Sequence, residues 1–446
     1  MVGSGPREGR SSGAGRLTIL TAVKRLSRFK RGFLSTFVLD VVARGMSALT
    51  LILLLRTLSV ESFAFIVLLL NVGQFLGSAA TGGIRLRYTR LEAERVSRGQ
   101  EEPSAFHSTL LSGYGLILAA GVLGLTGATV LGVGEDTGER LAFVALGTAF
   151  TLGSASIELA VFHHQAQLAF LRAGLIQIVR SSVLLAVATL AAVGLLESGA
   201  AVGLYFALAV CLVAAVVALP LALSTRGAAR GREGRFGFGR ESAALTLYSI
   251  ASAGWAYLDL FLVAALLNDV AVAAYGAALR YVSIVMGPVP AMVSVLRVRT
   301  AQGDMIDSNE AQIAMMKRWA RQAGPPTAAI LALAAIAAIW AIPLIDGGRY
   351  PDSVPIFQIL LVMAFAQLVT LPNSSLLIAQ ERYTSLAWIN AGAVALNVVA
   401  ATVAAELFGV VGIAIAAAIV TIGQVSIVTL LAANPPRPDE RVAAQA

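Results

Sequence analysis

Residues 201–224 read AVGLYFALAVCLVAAVVALPLALS, an apolar run without one charged side chain. A helix needs about 20 apolar residues to cross the hydrocarbon of a bilayer. Lipid offers backbone N–H and C=O groups no partner, so such a run must satisfy them internally, as a helix. Working outward, eleven further runs of this kind lie at about 33–55, 62–84, 108–133, 141–163, 173–196, 244–267, 271–295, 323–345, 355–379, 384–405 and 409–432. The fold class that follows is an all-α polytopic membrane protein with about 12 transmembrane helices.

The composition points the same way. Of 446 residues, 57% are hydrophobic and 13% charged, and the mean hydropathy is +0.80. A soluble domain carries about 25% charged residues. A disordered chain is thereby excluded, and a soluble enzyme is disfavoured. Cys211 is the single cysteine, so no disulfide framework exists. With His107, His163 and His164 it gives no metal-ligand spacing, and neither metal nor other cofactor is expected. The net charge of +8 would suggest nucleic acid in a soluble protein. Here the basic residues sit between apolar runs, where they orient helices in the membrane, and no nucleic-acid partner is expected.

Those loop charges set the direction. With the N-terminus on the cytoplasmic side, that side collects 27 Lys and Arg and the other only Arg56, Arg140 and Arg349. So uneven a split puts both termini in the cytoplasm. The chain then divides into a basic tail (1–31), six crossings (32–224), a basic linker (225–243), six more (244–433) and a second tail (434–446). Within the first tail, Leu20, Val23, Leu26 and Phe29 alternate with Lys24, Arg25, Arg28 and Lys30, the pattern of an amphipathic helix on the inner face. Ile313, Met316 and Trp319 beside Lys317, Arg318 and Arg321 repeat it. The N-terminal stretch does not read as a secretory signal. Outer loops of about ten residues or fewer leave no room for an extracytoplasmic catalytic domain, so the chain is not read as an enzyme.

An internal repeat supports the division. Ala166-Gln167-Leu168-Ala169-Phe170 follows the fourth run and Ala379-Gln380-Glu381-Arg382-Tyr383 the tenth, an offset of 213. Val202-Gly203 opens the sixth run and Val411-Gly412 the twelfth. Two six-helix lobes, each with an even number of crossings, would be related by an axis along the membrane normal.

Six ionisable residues fall inside the spans: Asp40, Arg44, Glu158, Arg180, Asp259 and Arg280. Each costs about 2.5–3.5 kcal/mol at the bilayer centre even on a lenient scale, so they must pair or line a wet cavity. Helical spacing places Thr36, Asp40, Arg44 and Ser47 on one stripe of the first span, and Asn71, Gln74, Ser78 and Thr81 on one stripe of the second. The seventh aligns Tyr248, Ser252, Trp255 and Asp259, and the eighth carries Arg280 and Ser283, with Pro288 and Pro290 beyond. A central cavity walled by these four helices is one reading. Simple pairing, Asp40 with Arg44 and Asp259 with Arg280, is the other. Glu158 and Arg180, on neighbouring helices of one lobe, are expected to form a structural pair.

Four stretches, Leu58-Ser59-Val60-Glu61-Ser62-Phe63-Ala64, Leu258-Asp259-Leu260-Phe261-Leu262, Val270 to Tyr281 and Tyr350 to Gly412, carry a resemblance. They resemble the polysaccharide biosynthesis (O-antigen, lipid-linked oligosaccharide) flippase family of the multidrug/oligosaccharidyl-lipid/polysaccharide exporter (MOP) superfamily. The resemblance implies two six-helix lobes working by alternating access in a bacterial cytoplasmic membrane. Its implied cargo is an oligosaccharide on a polyprenyl pyrophosphate. A cationic central cavity would take the phosphates, a role that suits Arg44 and Arg280 because a guanidinium binds phosphate bidentately. Membrane lipids, a polysaccharide polymerase and glycosyltransferases are the implied partners. Whether a proton or sodium ion is coupled is not legible in these residues. A multidrug or cation-coupled exporter of the same fold and a non-transporting scaffold of an envelope polysaccharide complex are the competing readings.

Overall fold

The computed structural model describes residues 38–434 apart from 40, 98–105, 131–136, 168, 197, 226–239, 287–308 and 381. The amphipathic stretch of the first tail, Asp40, nearly all of the linker, Pro288, Pro290 and the second tail after Asn434 lie outside these residues. All the described elements are helices. They are α1 (41–57), α2 (Val60–Ser97), α3 (Phe106–Val130), α4 (Thr137–Ala166), α5 (Phe170–Ala192), α6 (Gly199–Ser224), α7 (Arg240–Leu266), α8 (Asp269–Val285), α9 (Asn309–Asp346), α10 (Ser353–Val369), α11 (Leu371–Ala379) and α12 (Tyr383–Ala433).

Seven of these helices are long and apolar enough to cross a membrane. Two departures from the sequence pattern reconcile them with twelve crossings. α12 has 51 residues, and its backbone breaks at Gly409 (φ 60°, ψ −142°) into two arms. At 1.5 Å per residue an unbroken helix of that length would span about 76 Å, far more than a bilayer. The run expected at 355–379 bends by 50° between α10 and α11, where Pro372 sits in the first turn of α11, a position that tolerates its missing N–H. α1, α3, α8, the bent pair and the second arm of α12 complete the count. This is a multi-pass membrane protein.

Helix ends also extend past the apolar runs. α2 continues to Ser97 instead of stopping near residue 84, because its charged end supplies its own partners. Glu92 is buried and takes two hydrogen bonds from Arg95 one turn on, at 2.7 and 3.0 Å. Burial disfavours the Glu92 carboxylate, but the Arg95 hydrogen bonds and charge hold its pKa below the ordinary value. Outward-facing positions are apolar: Leu212, Val216, Trp340, Leu344 and Trp388 are all exposed. Facing lipid, such side chains cost nothing; in water they would form an aggregating surface.

The two halves meet along α2, which packs against α7 and α8. Three contacts at different heights fix the α2–α7 seam. Asn71 Nδ2 donates to the Tyr257 carbonyl at 3.1 Å, Ser249 Oγ donates to the Ser78 carbonyl at 2.6 Å, and a Cβ at Gly83 would lie 2.8 Å from the Leu245 carbonyl oxygen. Helices in lipid associate through such close backbone approach and interhelical hydrogen bonds.

The break in α12 uses a backbone conformation that costs a side-chain-bearing residue about 1–3 kcal/mol. Gly409→Ala is therefore expected to lower the thermal unfolding midpoint of the purified protein. A parental midpoint would show that the break is not needed.

Candidate functional site

A cavity of about 580 Å³ lies mainly within the first half, walled by α1, α2, α4 and α5 and closed on its far side by α7 and α8. That volume is in the range of small-molecule sites. Its polar wall comes from helical stripes. α1 contributes Arg44 and Ser47, α2 Gln74 and Ser78, α4 Ser154 and Glu158, α5 Gln177, Arg180 and Ser181, α7 Tyr257, and α8 Arg280 and Ser283. Counted along their helices, Arg44, Arg180 and Arg280 lie roughly 16–20 Å below the ends of α1, α5 and α8 at the arginine-poor face. Three guanidiniums thus share one chamber at one depth.

The partners of these charges decide what the chamber can hold. Among the described residues Glu158 is the one acidic residue lining it, and Glu158 Oε2 is ion-paired with Arg85 Nη1 of α2. Arg180 Nη2 donates to Ser154 Oγ at 3.3 Å. Among the described residues no carboxylate lies within 4 Å of the Arg180 or Arg280 guanidinium. Arg180 and Arg280 line the same chamber. Both are half-buried, and like charges sharing a chamber of lowered dielectric repel, so the chamber must be wet or must take an anion.

The structure corrects several expectations. The Glu158–Arg180 pair is not formed: Arg85, just past the second apolar run, takes Glu158, because α2 stays helical beyond that run. Asp259 and Arg280 do not pair either. Asp259 is buried and turned into the second half, where Asn397 Nδ2 of α12 donates to Oδ1 at 2.6 Å. Of the seventh-span stripe, none of Tyr248, Ser252, Trp255 and Asp259 lines the cavity. Ser252 Oγ accepts from Asn390 Nδ2 at 2.7 Å, and Asn390 Oδ1 accepts from Gln424 Nε2 at 2.6 Å. Tyr248 packs near the Tyr383 ring, 6.4 Å between centroids. Trp255 is half-buried. α7 turns that stripe toward α12, its most extensive neighbour, instead of toward α1. Asn71 likewise clips α2 to α7 and leaves Gln74 as the second-span residue on the wall.

Comparison with known proteins gives the fold. No protein-family model matches the chain, and no curated protein matches its sequence. Solved structures do match. The fold is that of the MATE transporters. A MATE crystal structure in complex with MaL6 superposes with a TM-score of 0.62 at 15% identity, covering 93% of this chain and 96% of that one. A MOP superfamily transporter from Pyrococcus furiosus superposes with a TM-score of 0.62 at 12% identity, covering 94% and 97%. An outward-facing multidrug resistance MATE transporter of the MOP superfamily gives 0.58 at 15%, covering 93% and 96%.

Asn397 and Asp259 test the energetics of the second half. Removing the donor leaves a buried acceptor unsatisfied, at about 1–3 kcal/mol, whereas removing both partners can be nearly neutral. Asn397→Leu is expected to lower unfolding stability by that amount, and Asp259→Leu/Asn397→Leu to recover most of it. Equal losses in the single and double variants would contradict the pairing.

Proposed function

We propose that this chain is a transporter that flips an anionic lipid-linked oligosaccharide, carried on a polyprenyl pyrophosphate, across a bacterial cytoplasmic membrane by alternating access. The observation that carries the proposal is the convergence of Arg44, Arg180 and Arg280 on one cavity where, among the described residues, the one lining carboxylate is Glu158, which Arg85 engages. A diphosphate diester carries negative charge in a compact group, and guanidiniums bind phosphate oxygens through paired, charge-assisted hydrogen bonds. Gln74, Gln177, Ser78 and Ser154 on the same wall offer donors and acceptors for sugar hydroxyls. The prenyl tail would remain in lipid. Its natural partners would be the glycosyltransferases that build the oligosaccharide and the polymerase that consumes it.

Two supports come from outside the cavity. The fold is shared with transporters, and the Pyrococcus furiosus relative is described as having a reversed pocket polarity that suggests a different function. Pocket charge is thus a sensible discriminator within this fold. A cavity lined by three arginines repels the organic cations that a multidrug exporter would carry.

The proposal is tested in liposomes loaded with a fluorescent polyprenyl-diphosphate oligosaccharide, reading its movement between leaflets. Hydrogen bonds to charged groups are worth about 1.5–3 kcal/mol each, so Arg180→Gln and Arg280→Gln are each expected to weaken cargo binding roughly tenfold or more and to slow flipping. Parental flipping in the double variant, or efflux of a cationic dye at the expense of the lipid, would contradict it.

A further inference from the structure

The arginine-poor face carries a second pair of arginines that the cavity does not use. Arg56, at the end of α1, reaches across the halves: its Nε donates to the Ile345 carbonyl at 2.7 Å and its Nη2 to the Leu344 carbonyl at 2.6 Å. Arg349, just past α9, reaches back: its Nη1 donates to the Leu55 carbonyl at 2.9 Å, and Nη1 and Nη2 both approach the Leu58 carbonyl at 3.3 Å. The exchange is reciprocal. Each guanidinium sits on the last carbonyls of the other half's helix, where unsatisfied C=O groups concentrate the negative end of the helix dipole.

Local sequence builds this exchange. Gly347 (φ 67°) and Gly348 (φ 74°) turn the chain sharply after α9, and the Gly348 N–H donates to Asp346 Oδ1 at 2.8 Å. That turn aims Arg349 back over the end of α1, with its guanidinium 5.9 Å from the Tyr350 ring centroid. Beneath the two arginines lies an apolar plug of Leu54, Leu55, Leu58, Phe63 and Tyr350, each no more than 3% exposed. Phe63 from α2 and Tyr350 from the α9–α10 turn meet across the halves, 6.1 Å between ring centroids. The cavity begins directly below, since Leu51 and Leu54 belong to its wall.

We infer that Arg56 and Arg349 form a latch that holds the arginine-poor face shut, and that releasing both lets the two halves part there and opens the cavity to that side. Hydrogen bonds to backbone carbonyls suit a latch. They break without leaving a buried charge, because both arginines are exposed and water replaces the lost acceptors. The side chains of the plug below are apolar but for the Tyr350 hydroxyl, which has no hydrogen-bond partner among the described residues. The latch gains its purpose from the transport reading, but its opening is a property of the empty protein.

The test uses spin labels at Thr57→Cys and Asp352→Cys, both exposed, in a Cys211→Ser background in lipid nanodiscs, with distances read by pulsed electron paramagnetic resonance. Arg56→Gln and Arg349→Gln are each expected to add a longer-distance population, and the double variant to make it dominant. Arg56→Lys/Arg349→Lys, which keeps charged donors, should retain the short distance. A folded double variant with the parental distribution would overturn the latch. If the double variant does not fold, Leu54→Cys in the Arg56→Gln protein gives the second measurement. Labelling of that cysteine by a membrane-impermeant maleimide should rise at least tenfold over the parental rate, and an unchanged rate would overturn the proposal. Because neither readout contains cargo, an opening latch in a protein that flips no oligosaccharide lipid would defeat the transport reading and leave the latch standing.

Discussion

Positive charge held deep inside a lipid-surrounded fold is the constraint from which the rest of this structure follows. A guanidinium facing hydrocarbon is costly, and two that repel each other are costlier. Arg44, Arg180 and Arg280 are accommodated because α1, α4, α5 and α8 are kept apart around a cavity of about 580 Å³. Keeping them apart requires the halves to be joined elsewhere. α2 does that along α7, by close backbone approach and interhelical hydrogen bonds. The cavity and the seam are two consequences of one requirement.

The two halves treat their intramembrane polar groups differently. In the first half the charges face a chamber. In the second, Asp259, Asn397, Ser252, Asn390 and Gln424 bond to one another between α7 and α12. The chamber is therefore offset into the first half; among the described residues Tyr257, Arg280, Ser283 and Ile284 reach it from the second. An asymmetric cavity is compatible with a repeated architecture, since a repeat fixes helix order and direction but not which stripe of each helix faces the centre.

Most of the fold was legible in the sequence because the bilayer enforces it. An apolar run of more than 20 residues has one structural solution in lipid, and the twelve runs recur as helices or helix arms. Their joints were harder to read. The bend near Thr370 and the break at Gly409 lie where continuous hydropathy hides a change in backbone direction. The site was only partly legible. Arg44, Gln74 and Arg280 were found by stripe and charge, but Arg180 was assigned to a pair with Glu158. Helical spacing held the missing signal: Gln177, Arg180, Ser181 and Leu184 on α5, and Phe150, Ser154, Ala155 and Glu158 on α4, form stripes as clear as those of α1 and α2. Rotation of α7 about its axis, which turned its stripe toward α12, is set by packing and leaves no mark in the periodicity of a single helix.

The most direct measurement is a cryo-electron microscopy reconstruction of the protein in nanodiscs with a short-chain polyprenyl diphosphate. The account predicts diphosphate density in contact with the Arg44, Arg180 and Arg280 guanidiniums, with the prenyl chain leading out toward lipid. Density seated instead between α7 and α12 beside Asp259, or an arginine chamber holding only water at saturating ligand, would contradict it.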